Sequence, residues 1–219
     1  MYVTSVFSSI LCAKCILNIV NRIYKPKEGV FHRNESDKDY RYWCLRNTIK
    51  RWPVWLSHKF PIPFFDNLCF KMFGVKTTFS NSLFEGWVDC EFVEFGKNVK
   101  IGQGSFIISN IIIKDKLILK KVTIQDNVII GAHSIVLPGT VIESNTILNT
   151  ISMTTVNQRL VSDSVYNGFP AKKVEGSELI KNEAQIKHLI FDTKELEEFD
   201  EEKLRTHTKE LSVPFHFYL

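Results

Sequence analysis

The 219 residues carry 28 Lys or Arg against 24 Asp or Glu, a net charge of +4, with 44% hydrophobic residues and a mean hydropathy of −0.05. A chain of this length and balance can bury a full core, which excludes a disordered polyelectrolyte and a polytopic membrane protein. Charge is uneven along it: residues 1–80 hold 13 basic and 5 acidic side chains, a local +8, whereas residues 81–219 hold 15 and 19, a local −4.

The stretch from Val3 to Val20 is apolar but interrupted by Lys14 and Asn18, with a further polar break at Asn21. It has no evident small-residue cleavage site, and so many breaks predict an amphipathic or interfacial helix rather than a span or a signal peptide. Four of the five cysteines lie in the first 70 residues. Their odd number speaks against a secreted disulfide framework and for a reducing cytoplasm. Cys12 and Cys15 form a CxxC without a second ligand pair at suitable spacing, so they read as two small apolar residues and no metal is expected.

Residues 41–76 interleave Arg41, Arg46, Lys50 and Arg51 with Trp43, Trp52 and Trp55, and Pro53, Pro61 and Pro63 are expected to break them into short helices. A basic, aromatic-rich segment suits an anionic surface, and its tryptophans favour the membrane interface over nucleic acid. The alternative is a basic flank packed on an acidic core. Residues 1–80 are therefore expected to form a helical cap or membrane-interface segment, with peripheral membrane contact through residues 1–76.

From Phe95 onward, large apolar residues recur every six positions: Phe95, Ile101, Ile107, Ile113 and Leu119, then, after one step of five, Ile124, Ile130, Val136, Ile142 and Leu148. A second column, two residues ahead of each, reads Val93, Val99, Ser105, Ile111, Leu117, Val122, Val128, Ser134, Thr140 and Thr146. Positions two apart share one side of an extended strand, so both columns point inward. A six-residue strand and turn cannot close a core alone, but three make a triangular coil that stacks on the next. A helix would repeat at 3.6 and a sandwich would alternate at two. The expected architecture is mainly β: a left-handed parallel β-helix of about 3–4 coils over residues 81–176, with a helical N-terminal segment and a C-terminal helix in residues 177–219. Gly96, Gly102 and Gly131 follow inward residues where a Cβ would clash at a corner, and Asn98, Asn127, Asn145 and Asn149 suit left-handed turns. Lys120 and Lys121 mark a tightened turn at the short step.

The segments NVIIGAHSIVLPGTVI (127–142) and VYNGFPAKKV (165–174) resemble the hexapeptide-repeat acyltransferase family, whose helices close on a Gly-x-Pro-Ala-Lys turn like Gly168–Lys172 here. The resemblance covers residues 87–176. It implies acyl transfer, most simply of acetyl, from acyl-coenzyme A as co-substrate to a hydroxyl or amine of a sugar or other small polar acceptor. It also implies a homotrimer. A non-catalytic β-helix scaffold or assembly subunit is the other class that this fold serves. The zinc-dependent branch needs three histidines, and His133 is the only one between His58 and His188.

In the resembling family a histidine is usually the general base, and His133 is the only histidine within the repeat; at a turn, it should direct its ring outward. An ordinary exposed turn histidine is the bland alternative. Asn110 and Asn157, with Asp115, are polar residues able to orient a base or substrate, or plain turn residues. By resemblance the coenzyme A arm runs along the coils past Gly131, Gly139, Thr155 and Asn157 to Gly168, Pro170, Ala171, Lys172 and Lys173, the two lysines offering charge to its phosphates. The closing run VPFHFYL (213–219) is apolar enough to need burial.

Overall fold

The computed structural model describes residues 2–59, 63–83 and 86–174. The expected helix within 177–219 lies outside the described residues. The chain divides into a unit Met1–Lys173 and a unit Val174–Leu219, and everything below belongs to the first.

Three helices come first. Helix α1 (Tyr2–Ile23) is unbroken, and its buried stripe of Val6, Ile10, Leu17 and Val20 has the spacing of one helical face. Lys14 accommodates to burial by giving its ammonium to the Met72 carbonyl. Helix α2 (Lys38–Ser57) starts where Asp37 Oδ1 accepts the Asp39 and Tyr40 amides at 2.8 and 3.3 Å, an N-cap that satisfies otherwise orphan donors. Pro53 does not end this helix, contrary to the sequence expectation; it sits buried in the interior, one turn before the end. Helix α3 (Pro63–Phe73) begins on proline, whose missing N–H costs nothing at a first helical position.

From Lys76 the chain winds into a parallel β-helix with three faces. The first face stacks Lys76, Val93–Phe95, Val122–Ile124, Val141–Ile142 and Arg159–Leu160; the second stacks Ser82, Lys100–Ile101, Ile129–Ile130, Ile147–Leu148 and Val165–Asn167. The third carries Trp87–Val88, Phe106–Ile107, Ile135–Val136 and Met153. Counted by these rungs, the coils begin before Val93 and continue past Ser152, giving four complete turns and two faces of a fifth.

The inward columns hold through most of the helix. Ile101, Ile107, Ile124, Ile130, Val136, Ile142 and Leu148 are buried, as are Ser105, Ser134, Thr140 and Thr146. Buried hydroxyls carry a desolvation cost unless paired. Ser105 Oγ and Ser134 Oγ each donate at 2.7 Å, to the Gly131 and Asn149 carbonyls. The core runs without a break from Val6, Ile10 and Phe70 in the helices to Leu160 and Ala171 in the last coil.

The ten-slot ladder is interrupted at Ile113 and Leu119. After Ile107 the chain leaves the coil as an antiparallel hairpin, Asn110–Ile113 with Lys116–Leu119, whose outer edge pairs with Gly29–His32. Ile113 is exposed, while Leu117 and Leu119 are buried in this small sheet. A hairpin strand alternates at two, and six is a multiple of two, so Ile111, Ile113, Leu117 and Leu119 imitate the coil spacing. The five-residue step is the trace of this insertion.

The corners also differ from expectation in detail. The residue before most second-column positions of the coils takes positive φ, and Asn98, Asn127, Asn145 and Asp163 on one edge have values of 53–58°. Their side chains form a ladder, each Asn donating to the next residue at 2.9–3.1 Å. Gly96, Gly102 and Gly131 are absent from the left-handed positions. Their need for glycine is close approach: a Cβ on Gly131 would meet the Thr150 amide nitrogen at 2.3 Å.

Candidate functional site

Two edges of the prism flank the third face and carry the candidate residues. The edge between the second and third faces holds Gly104, His133 and Ile151, all with positive φ. His133 is exposed, and its ring covers Gly104 so closely that a Cβ there would meet Nδ1 at 2.6 Å. Its outward ring follows from the corner geometry: the next residue, Ser134, takes the inward place. Among the described residues no side chain or carbonyl hydrogen-bonds either ring nitrogen. Gly131 lies just before it in the same coil.

The edge between the third and first faces carries Asp89, Asn110, Gly139, Thr155 and Asn157 in successive coils, with the hairpin leaving between Asn110 and Lys120. Gly139 and Asn157 both adopt positive φ, 79° and 62°. Asn157 Oδ1 accepts from Lys120 Nζ at 2.8 Å, and Thr155 N donates to Gln158 Oε1 at 2.7 Å. Gln158 Nε2 in turn donates to the Ala171 carbonyl at 2.7 Å. Thus Gly139, Thr155, Asn157 and Ala171 come together.

The closing turn stands over the third face where a fifth rung is missing. Met153 N donates to Gly168 O at 3.0 Å, Ala171 N donates to Met153 O at 2.7 Å, and Gly168 N donates to Ser152 Oγ at 3.1 Å. Ala171 is buried, Pro170 is exposed, and Lys172–Lys173 return antiparallel to Tyr166–Asn167 with both side chains exposed. Neither lysine takes part in an ion pair among the described residues. Gly168, at φ 95°, has only Pro170 O within 3.6 Å of an added Cβ, so its backbone is open to approach. Open backbone and free cations at one end of a face suit a phosphate-bearing arm.

Asn110 is engaged elsewhere than beside His133, which occupies the other edge. Its amide donates to Asp89 Oδ2, the oxygen that also accepts Ser109 N at 2.8 Å and Ser109 Oγ at 3.2 Å. Burial raises the Asp89 carboxyl above the usual range, against the lowering effect of the Ser109 amide and of the Lys50 charge. Asp115 is exposed at the hairpin tip.

Asp89 opens on a cavity of about 460 Å³ between α2 and the third face, lined by Trp43, Arg51, Trp87, Phe106 and Asn110 among others. Lys50, which also lines this cavity, shares a counter-ion with Arg46: Glu91 Oε1 binds Arg46 Nε at 2.6 Å and Lys50 Nζ at 2.7 Å. Arg46 and Lys50, which the sequence interleaves with the tryptophans, are 2% and 4% exposed, as a basic flank packed against an acid would be. The Glu91 carboxylate, at the corner before Val93, draws them in. Cys90 also lines the cavity, but burial pushes its thiol up to about 12, and a protonated thiol is no nucleophile at neutral pH. Asp89 and Glu91 escaped the sequence reasoning because they precede the regular repeat; the only signal was an acidic pair flanking Cys90.

No family model and no curated protein sequence matches the chain. Solved structures do. A maltose O-acetyltransferase from Clostridium difficile 630 is 13% identical and superimposes with a TM-score of 0.50, over 68% of this chain and 92% of that one. The hexapeptide-repeat containing acetyltransferase of Vibrio cholerae gives 12% identity and a TM-score of 0.47, over 60% and 90%. A mutant of AntD, an N-acyltransferase from Bacillus cereus crystallised with dTDP-4-amino-4,6-dideoxyglucose and coenzyme A, gives 23% and 0.35; the chain covers 58% of its length and 43% of this chain is matched. The likeness is one of fold: the chain has the β-helix fold of the hexapeptide-repeat acetyltransferases.

Proposed function

We propose that the protein transfers an acyl group, most simply acetyl, from acyl-coenzyme A to a hydroxyl or amine of a small polar acceptor such as a sugar. One observation carries the proposal: a hexapeptide β-helix whose third face is closed by the Gly168–Lys173 turn, leaving open backbone and two free cations beside it. Lys172 and Lys173 would hold the phosphates of coenzyme A, and Gly131, Gly139, Thr155, Asn157, Gly168, Pro170 and Ala171 would border its arm.

His133 is the proposed base. Its exposed imidazole takes the proton of the acceptor as the acceptor oxygen or nitrogen attacks the thioester carbonyl. The C–S bond then breaks and the departing thiolate takes the proton back from the imidazolium. His133→Ala should lower turnover by about a hundredfold or more, in line with the usual worth of general-base catalysis, and leave coenzyme A affinity unchanged. Full activity in that variant would exclude His133.

We also propose a homotrimer. Outward apolar residues, Ile129 on the second face and Ile151 on the edge beside it, leave a flank that threefold packing would cover. Light scattering at the monomer mass of 25.4 kDa would contradict it. Five free cysteines fit a reducing cytoplasm as the compartment. The scaffold alternative draws its support from the His133 ring, which no described residue orients. A protein that forms the trimer but binds no acyl-coenzyme A would belong to that second class.

A further inference from the structure

We infer that the exposed side of α1, together with Leu45, Trp52 and Trp55 of α2, docks on the surface of an anionic phospholipid bilayer, with α1 lying in the membrane plane. Leu11, Ile16, Ile19 and Ile23 are 45–66% exposed, and Cys12 and Cys15, also exposed, lie among them. Single exposed apolar residues need no explanation, but a row of this length continued by two tryptophans does. Trp52 and Trp55 stack at 5.2 Å, and Trp52 Nε1 donates to Ser9 Oγ of α1 at 3.2 Å, so the aromatic pair joins the α1 surface. Tryptophan is the side chain best suited to headgroup depth.

By length and composition Thr4–Ile23 could cross a membrane, yet the packing decides otherwise. Val6, Ile10 and Leu17 belong to the same core as α3 and the first coils, and Lys14 binds the Met72 carbonyl. A spanning orientation would strip this side bare. A helix with one side packed on its own protein and large apolar residues exposed on the other lies along the interface.

Charge identifies the partner. No Asp or Glu precedes Glu28, and Arg22, Lys25 and Lys27 gather at the end of α1. Arg51 and Lys59 flank the tryptophans, with Lys59 Nζ 5.8 Å from the Trp55 ring and Lys27 Nζ 5.3 Å from that of Tyr24. Among the described residues none of these five cations is in an ion pair. A second copy would bring the same cations face to face, whereas anionic lipid neutralises them while the apolar row enters the headgroup boundary.

The inference is independent of acyl transfer, and its test uses the full chain without substrate. Sedimentation is measured with vesicles of phosphatidylcholine alone and with about 30% phosphatidylserine. The chain should sediment with the anionic vesicles and weakly with the neutral ones. Leu11→Glu/Ile19→Glu should reduce the partition coefficient at least about tenfold. Lys25→Gln/Lys27→Gln/Lys59→Gln, which alters exposed cations alone and spares the core, should do so on anionic vesicles only. Far-UV circular dichroism and light scattering on each variant establish that fold and assembly persist. Absence of sedimentation with anionic vesicles, or undiminished binding by both variants, would overturn the inference. So would a change in oligomer mass without a change in vesicle binding, which would assign this surface to a second copy.

Discussion

Removing the Glu91 carboxylate should destabilise the protein more than any other single change to a polar group at the junction of α2 and the first coil. Arg46 and Lys50 both point their charge at Glu91 Oε1, at 2.6 and 2.7 Å, from positions only 2% and 4% exposed. In Glu91→Ala the cations keep their burial and lose the carboxylate that touches them; the Arg46 contact that remains, to the Tyr24 carbonyl at 3.5 Å, is long. Breaking a buried pair from one side costs about 3–5 kcal/mol, because an uncompensated charge is left behind. Two stranded cations put Glu91→Ala at or above the upper end of that range. Whole domains are stable by about 5–15 kcal/mol, so the variant should unfold near room temperature or require a lower urea midpoint by a large margin. Replacing all three groups at once, as Arg46→Met/Lys50→Met/Glu91→Leu, should restore most of the loss, since apolar side chains of similar volume carry no desolvation penalty. Urea denaturation followed by tryptophan fluorescence measures both. A loss below about 1 kcal/mol in Glu91→Ala, the level of an exposed pair, would refute the account of this junction.

Other positions give sharp expectations. Burial alone would lower the His58 imidazole, but the Asp66 carboxylate 3.4 Å away and the Gly86 carbonyl raise it above 6.5. A raised folded-state value means that this stabilisation is complete below about pH 6.5 and fades as pH rises through the folded value; Asp66→Asn should flatten that slope in urea midpoints taken from pH 5 to 9. Gly131→Ala drives a Cβ to 2.3 Å from the Thr150 nitrogen, backbone that cannot rotate away, and should cost about 1–3 kcal/mol or more in the same assay. An unchanged midpoint would mean that the coils are spaced more loosely there. Asn127→Gly keeps the left-handed corner but breaks both of its ladder bonds, to Asn98 and Asn145, and should lower stability by about 1 kcal/mol.

The repeat was legible because a coil of three short strands enforces a six-residue rhythm, and Ile101, Ile107, Ile130, Val136 and Ile142 obey it in sequence and in space alike. The hairpin was hidden by the same arithmetic, since its alternation at two satisfies a six-residue ladder. Arg46 and Lys50 could not be read as buried, because charged side chains enter a core only with a partner, and Glu91 is remote in sequence. Of the candidate site, the sequence marked the closing motif Gly168–Lys172 and the lone His133 of the repeat, whose roles belong to the proposed function. Asp89 and its bonds to Ser109 and Asn110 depend on which coils stack, information that no local pattern carries.

The central claim is tested most directly by titrating acetyl-coenzyme A into the assembled protein and following the heat of binding and the thermal midpoint together. Binding to the folded state alone stabilises by about 2.7 kcal/mol at a hundredfold excess over Kd. The account predicts saturable heat, a midpoint that rises with ligand, and loss of both in Lys172→Gln/Lys173→Gln, while His133→Ala binds normally. A folded assembly that neither takes up heat nor gains stability at millimolar acetyl-coenzyme A would contradict it.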